Sequence, residues 1–236
     1  MTESREELVR SALVITGRES TFTEDDIAAL CDQRATLPVH EEHGGWEEVI
    51  NSMERISAGG DARAAFESSR LLRRIYTEGI GVPADPGLSE SCRRRMLEIT
   101  EEVIGRGLSI HDPENAWAQI NRYALLRESV SGIELEDLIR PVTSTGKYRS
   151  SFETDEFDDY MDLRKTLLEV HRIFGTYHGA AEELRKGELV EADPDMADEL
   201  DRVHMMDLED GCKKGNSWCQ RELMARYCEG DLVERD

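Results

Sequence analysis

The chain has 236 residues, of which 34% are charged and 6% aromatic, and its 51 Asp and Glu against 29 Lys and Arg give a net charge of −22. That length supports a sizeable core or about five helical hairpins, and the composition suits a helix-rich, well-solvated fold. The field of so acidic a chain repels polyanions, which disfavours nucleic acid and anionic membranes as partners and favours a basic protein; plain solubility is the other reading of the same charge.

Five cysteines, at 31, 92, 212, 219 and 228, are odd in number and lack a CxxC pair. They read as reduced core thiols and not as a zinc site. Residues 3–17 form an amphipathic helix with Leu8, Val9, Leu13 and Val14 on its apolar side. Its apolar run, Ala12 to Ile15, is too short for a signal peptide, and no run reaches the ~18 apolar residues of a membrane helix. A cytoplasmic location is expected, unless a secretion machine reads an uncleaved signal.

Thr23, followed by Glu24, Asp25 and Asp26, marks a helix start, with Ile27, Leu30 and Cys31 at helical spacing. Residues 36–45 are a loop. His40 and His43 with Glu41 and Glu42 lack a third ligand at a convincing spacing, so they read as solvated linker. Trp46, Val49, Ile50, Met53 and Ile56 form a helical stripe that Gly59-Gly60 ends. A helix from about 61 to 78 turns Ala65, Leu72 and Tyr76 inward, and a second runs from Ser89 to about Arg106. Arg93, Arg94 and Arg95 on the latter either grip a carboxylate-rich partner or, the favoured reading, pair with neighbouring acids. Asp112-Pro113 starts a helix that runs to about Ser131.

Residues 141–151 are the longest break in helical pattern, a loop or hinge. Gly146-Lys147 is not a phosphate loop, because Pro141 and Tyr148 stand where that motif needs Gly and Ser or Thr. Glu153, Asp155, Glu156, Asp158, Asp159 and Asp162 then interleave with Phe152, Phe157 and Tyr160. Read functionally, charges steer a basic partner and aromatics supply desolvated contact. The candidate partner-binding residues are Phe152, Glu153, Asp155, Glu156, Asp158, Asp159 and Tyr160. Read structurally, this is an acidic helix start with Phe157, Tyr160 and Leu163 facing the core. The helix continues through Leu167, Leu168, His171 and Phe174. His171 and His178 lie seven apart, with no set of metal ligands around them. From Met196 a helix carries Leu200, Val203, Met206 and Leu208.

One heptad recurs. Gly79 to Asp85, Gly187 to Asp193 and Gly230 to Asp236 agree at Gly, Val and Asp, and the first two continue into Pro86 and Pro194. The first two copies lie 108 residues apart and the last two 43 apart, spacings suited to helical-hairpin repeats. Gly past a helix end followed by Asp-Pro is a helix-to-helix corner, which Val82 pins from inside. Gly215, Asn216, Gln220, Leu223, Tyr227, Gly230, Val233 and Asp236 stand in the register G-N-x-x-A-Q-x-x-L-G-x-x-Y-x-x-G-x-G-V-x-x-D, and Leu72, Tyr76, Gly79, Gly81, Val82 and Asp85 match its second half. The pattern resembles the Sel-one-like repeat, a relative of the tetratricopeptide hairpin. Cys219, Met224 and Leu232 depart from it.

The resemblance covers about 100 residues and implies an all-α solenoid of about ten helices. Its expected parts are an N-terminal helical cap (1–45), a first group of repeats (46–140), a loop or hinge (141–152) and a second group (153–236). No nucleophile–base pair, phosphate cradle or metal set stands out, so a non-catalytic protein-binding module without cofactors is expected. The sharpest expectation is an acidic inhibitor or immunity protein for a basic toxin or nucleic-acid enzyme. The alternatives are a signalling adaptor and a nucleic-acid mimic. The face around Trp218, Leu223 and Tyr227 on the last helix also suggests a contact with a second copy.

Overall fold

A computed structural model describes residues 4–32, 45–109, 112–130, 154–187 and 192–229. These residues are all-α: they form ten α-helices and one 3-10 turn, with no strand among them. The chain divides into two compact units, Met1–Gly105 and Arg106–Asp236. The division falls at the end of a helix; the expected hinge at 141–152 lies outside the described residues.

The first unit holds α1 (Arg5–Thr16), the 3-10 turn Glu19–Thr21, α2 (Glu24–Cys31), α3 (Gly45–Ala58), α4 (Ala62–Glu78) and α5 (Pro86–Gly105). Local chemistry sets where they begin. Ser4 and Glu7 form a reciprocal capping box on α1, Thr23 and Asp26 form one on α2, and Asp61 caps α4. The box holds the Glu7 carboxyl below its ordinary range, chiefly through its bond from the Ser4 backbone N–H. Helix α4 packs between α3 and α5, while α1 touches α2, α3 and α4. Leu8, Val9, Val49, Met53, Leu71 and Ile75 are fully buried in the shared core, a burial worth roughly 1.5–3 kcal/mol per side chain. Val14 departs from expectation. It is 58% exposed, because the buried face of α1 runs through Leu8, Val9, Ala12 and Leu13, and Val14 lies one step further round.

The second unit holds α6 (Pro113–Ser129), α7 (Thr154–Phe174), α8 (Tyr177–Lys186), α9 (Pro194–Lys213) and α10 (Ser217–Glu229). Each helix packs on the next along the chain, the pattern expected of stacked hairpins. Asn216 opens α10: its Oδ1 accepts from Trp218 N–H at 3.0 Å and Cys219 N–H at 3.4 Å. Asn216 therefore works as a helix cap.

The described flanks of the first two heptads share one geometry, while residues 188–191 within the second lie outside the described residues. Gly79 (φ 67°) ends α4 and Gly187 (φ 68°) ends α8, both left-handed, a conformation that costs other residues about 1–2 kcal/mol. Their N–H groups donate to Ile75 O and Glu183 O, each at 2.9 Å. Asp85 N–H donates to Tyr76 O at 2.9 Å and Asp193 N–H to Leu184 O at 3.1 Å. Pro86 and Pro194 then each begin a helix of 20 residues. Each of these pairs is 108 residues apart, so the recurrence in the sequence is matched in the backbone at both ends of the corner. In the first corner Val82 packs against the core as expected, and Trp46 Nε1 donates to Ile80 O at 2.9 Å. The third heptad, Gly230 to Asp236, lies outside the described residues.

Candidate functional site

The acidic stretch is placed only in part. Phe152 and Glu153 lie outside the described residues. Asp155, Glu156, Asp158 and Asp159 fall in the first two turns of α7, where carboxylates favour the positive helix end. Tyr160 is 2% exposed and Leu163 fully buried. Tyr160 is thus a correction to its expected place among the contact residues: it faces the core, because the inward side of α7 passes through 160, 163, 167 and 170.

The arginines of α5 take the favoured reading. Arg93 bonds Glu90 at 2.9 Å, Arg94 stands 3.5 Å from Glu90, and Arg95 reaches Glu98 (3.1 Å), Glu102 (3.0 Å) and the Ser57 carbonyl (3.0 Å). The Glu90 carboxyl is held below its usual range, first by Arg93. The same spending of basic charge recurs through both units, in Arg5–Glu78, Arg10–Glu24, Arg74–Glu78, Arg106–Glu114 and Arg127–Glu199. The exposed pairs among these, such as Arg10–Glu24, contribute little to stability, but all of them neutralise cations and leave the surplus carboxylates to set the outer field.

A cluster that the sequence did not announce joins α8, α9 and α10. His178 Nδ1 lies 2.7 Å from Asp201 Oδ1, and its Nε2 lies 3.1 Å from Arg226 Nη1. A guanidinium only donates, so Nε2 accepts and Nδ1 carries the proton given to Asp201. Asp201 is 3% exposed. Its Oδ2 has no aligned hydrogen bond but stands 2.6 Å from Arg185 Nη2, an electrostatic contact. His204, 2% exposed, stacks on His178 with ring centroids 5.9 Å apart. Neither of its ring nitrogens finds a hydrogen-bond partner among the described residues. Burial, then the charge of Arg226, lowers the pKa of His204. The only sequence signal was Asp201 and His204 at i and i+3, on the side of α9 that also carries Leu200 and Leu208. His171 is elsewhere, 4.6 Å from the ring of Tyr177.

Nearby, α10 is only partly covered. Trp218, Met224 and Tyr227 are 46%, 63% and 50% exposed, as expected for Trp218 and Tyr227, while Leu223 is half-buried. Cys219 is buried and Cys228 exposed; both are free thiols. In the first unit a shallow groove of about 510 Å³ lies between α1 and α4, with Val14, Ile15 and Leu71 along it and Glu7, Arg10 and Glu67 at its edge.

Among the described residues no group of three His, Cys, Asp or Glu is placed to hold a metal ion, and no helix is long and apolar enough to cross a membrane. No protein-family model, curated protein or solved structure matches the chain.

Proposed function

We propose that this protein is a non-catalytic, Sel-one-like binding module that engages a basic protein, most specifically as a cytoplasmic inhibitor or immunity protein for a basic toxin or nucleic-acid enzyme. The observation that carries this reading is the disposal of charge. Arginines on α1, α4, α5, α6 and α8 are engaged by the chain's own acids, so an approaching partner meets the net −22 largely as carboxylate. A field of that sign steers cationic surfaces inward and speeds association. The acidic start of α7 supplies a local focus, and the exposed side chains of α10 supply apolar area of the kind partners bury.

The test is capture from native lysate followed by binding kinetics. A single stoichiometric basic partner, with an association rate that falls steeply with salt, supports the inhibitor. Several weaker partners would favour an adaptor instead. Competition with DNA or RNA for one basic protein would favour mimicry.

A further inference from the structure

We propose that the half-buried His178, with the buried Asp201 and His204, is an acid-sensitive latch that holds α10 against the α8–α9 hairpin and releases it as the pH falls.

The hydrogen-bond directions supply the device. With His178 neutral, its Nδ1–H donates to Asp201 on α9 and its Nε2 accepts from Arg226 on α10, so one ring ties three helices together. A proton on Nε2 removes that acceptor and sets a cation against the guanidinium. Arg226 is held in place by Glu222 on its own helix at 3.1 Å. The protonated nitrogen has another outlet: Glu182, one turn along α8, stands 3.7 Å from Nε2. Protonation thus exchanges a partner on α10 for one on α8 itself. The His178 side chain is 17% exposed.

His204 adds a second constraint. Its ring is buried without a partner and stacked on His178, and a charge there would sit in low dielectric beside Arg226 and the other imidazole. The charged groups around the pair are Glu182 and Arg185 from α8, Asp198 and Asp201 from α9, and Glu222 and Arg226 from α10. From α7, His171 meets Tyr177. At His204, burial and Arg226 outweigh the opposite pull of Glu222 and Asp201.

The fold does not require histidine at this place. His204 occupies the position of α9 that Met96 occupies in α5, 108 residues earlier and equally far from the corner. Met96 is an ordinary core side chain, 4% exposed.

The sign follows from linkage. A depressed pKa means that the closed state resists a proton which the open state accepts near the ordinary ~6.5. Closure is complete above that value and weakens as the pH falls through it. For His204 alone the opening equilibrium rises by up to about tenfold between pH 7.5 and 5.5.

Hydrogen exchange read by mass spectrometry at the two pH values, expressed as protection factors, tests the latch on the full chain. The expected result is a several-fold loss of protection in α10, up to about tenfold, with α8 and α9 changing less than twofold. His178→Gln, which keeps a donor and an acceptor, combined with His204→Met should abolish the pH dependence. Equal α10 protection at both pH values overturns the latch, as does a loss spread evenly over the unit or a double variant with the wild-type slope. The wild-type course alone decides the matter where the double variant fails to fold.

Discussion

Gly81 offers the sharpest test of the first corner. Its φ is +64°, and a Cβ built there would lie 2.5 Å from Trp46 Cδ1 and 2.7 Å from Leu30 Cδ2. Neither neighbour can yield easily. Trp46 is 5% and Leu30 2% exposed, and the indole is fixed by its bond to Ile80 O. Gly81→Ala therefore carries two costs: about 1–2 kcal/mol for the left-handed backbone and about 1–3 kcal/mol for overpacking, together about 2–5 kcal/mol. Two other glycines separate these terms. Gly17 has nearly the same φ, +66°, with nothing within 4 Å of its Cβ, so Gly17→Ala should lose only the backbone term. Gly79→Ala should fall between, since its Cβ would meet Ala84 N at 3.2 Å and Val82 O at 3.3 Å. Urea-dependent hydrogen exchange of α3 and α4 amides reads this unit specifically. At a slope of about 2 kcal/mol per M, the midpoint should drop by about 1–2.5 M for Gly81→Ala and by about 0.5–1 M for Gly17→Ala. Equal losses at the two positions would refute the close approach of Trp46 and Leu30 to the turn.

Trp46→Phe should cost about 1–3 kcal/mol beyond lost packing, because it leaves the buried Ile80 carbonyl without its donor; a loss under about 0.5 kcal/mol in the same exchange assay would mean that water replaces the indole N–H. Asp85→Ala and Asp193→Ala should each cost about 0.5–2 kcal/mol and weaken protection in α5 and α9 respectively. Asp85 Oδ1 accepts from Gly87 and Leu88 N–H and Asp193 Oδ1 from Met196 N–H, so a large effect at only one of the two corners would contradict their equivalence.

The corners were legible in the sequence because their chemistry is local. A glycine in the left-handed region, an Asp cap and a Pro at the first helical position are fixed within eight residues, and no distant contact is needed to recognise them. Capping at Thr23 and Asp112 was legible for the same reason. Core stripes were readable to within one helical step: Leu8, Val9 and Leu13 are buried, but Val14 is not, because the partner helices decide where a face ends. The α8–α9–α10 cluster was not legible. Asp201 and His178 are 23 residues apart and Arg226 is 48 from His178, and no spacing rule links an acceptor nitrogen on one helix to a guanidinium two helices later. Tyr160 was readable both ways, since an aromatic among acids suits either a core face or a contact surface until α7 is packed.

The burial of Tyr160 changes how the acidic stretch should be tested. The remaining candidates in the structure, Asp155, Glu156, Asp158 and Asp159, occupy the first two turns of α7, positions at which an acidic residue typically favours a helix by about 0.3–1 kcal/mol. Reversing all four to lysine would remove those terms and add unfavourable ones of similar size, so a slower association could come from a frayed α7 as readily as from lost steering. Neutral replacements, Asp→Asn and Glu→Gln, delete the steering charge with smaller local cost, and Tyr160 and Leu163 still anchor the helix from below. Under the proposed function, the neutralised protein should keep its far-ultraviolet circular dichroism and associate several-fold more slowly with its basic partner at low salt, and the gap should close as salt screens the field over a Debye length of about 8–10 Å. The dissociation rate should change less, because steering acts on the encounter. An unchanged association rate at low salt would remove the start of α7 from the contact surface and leave the field to the rest of the chain.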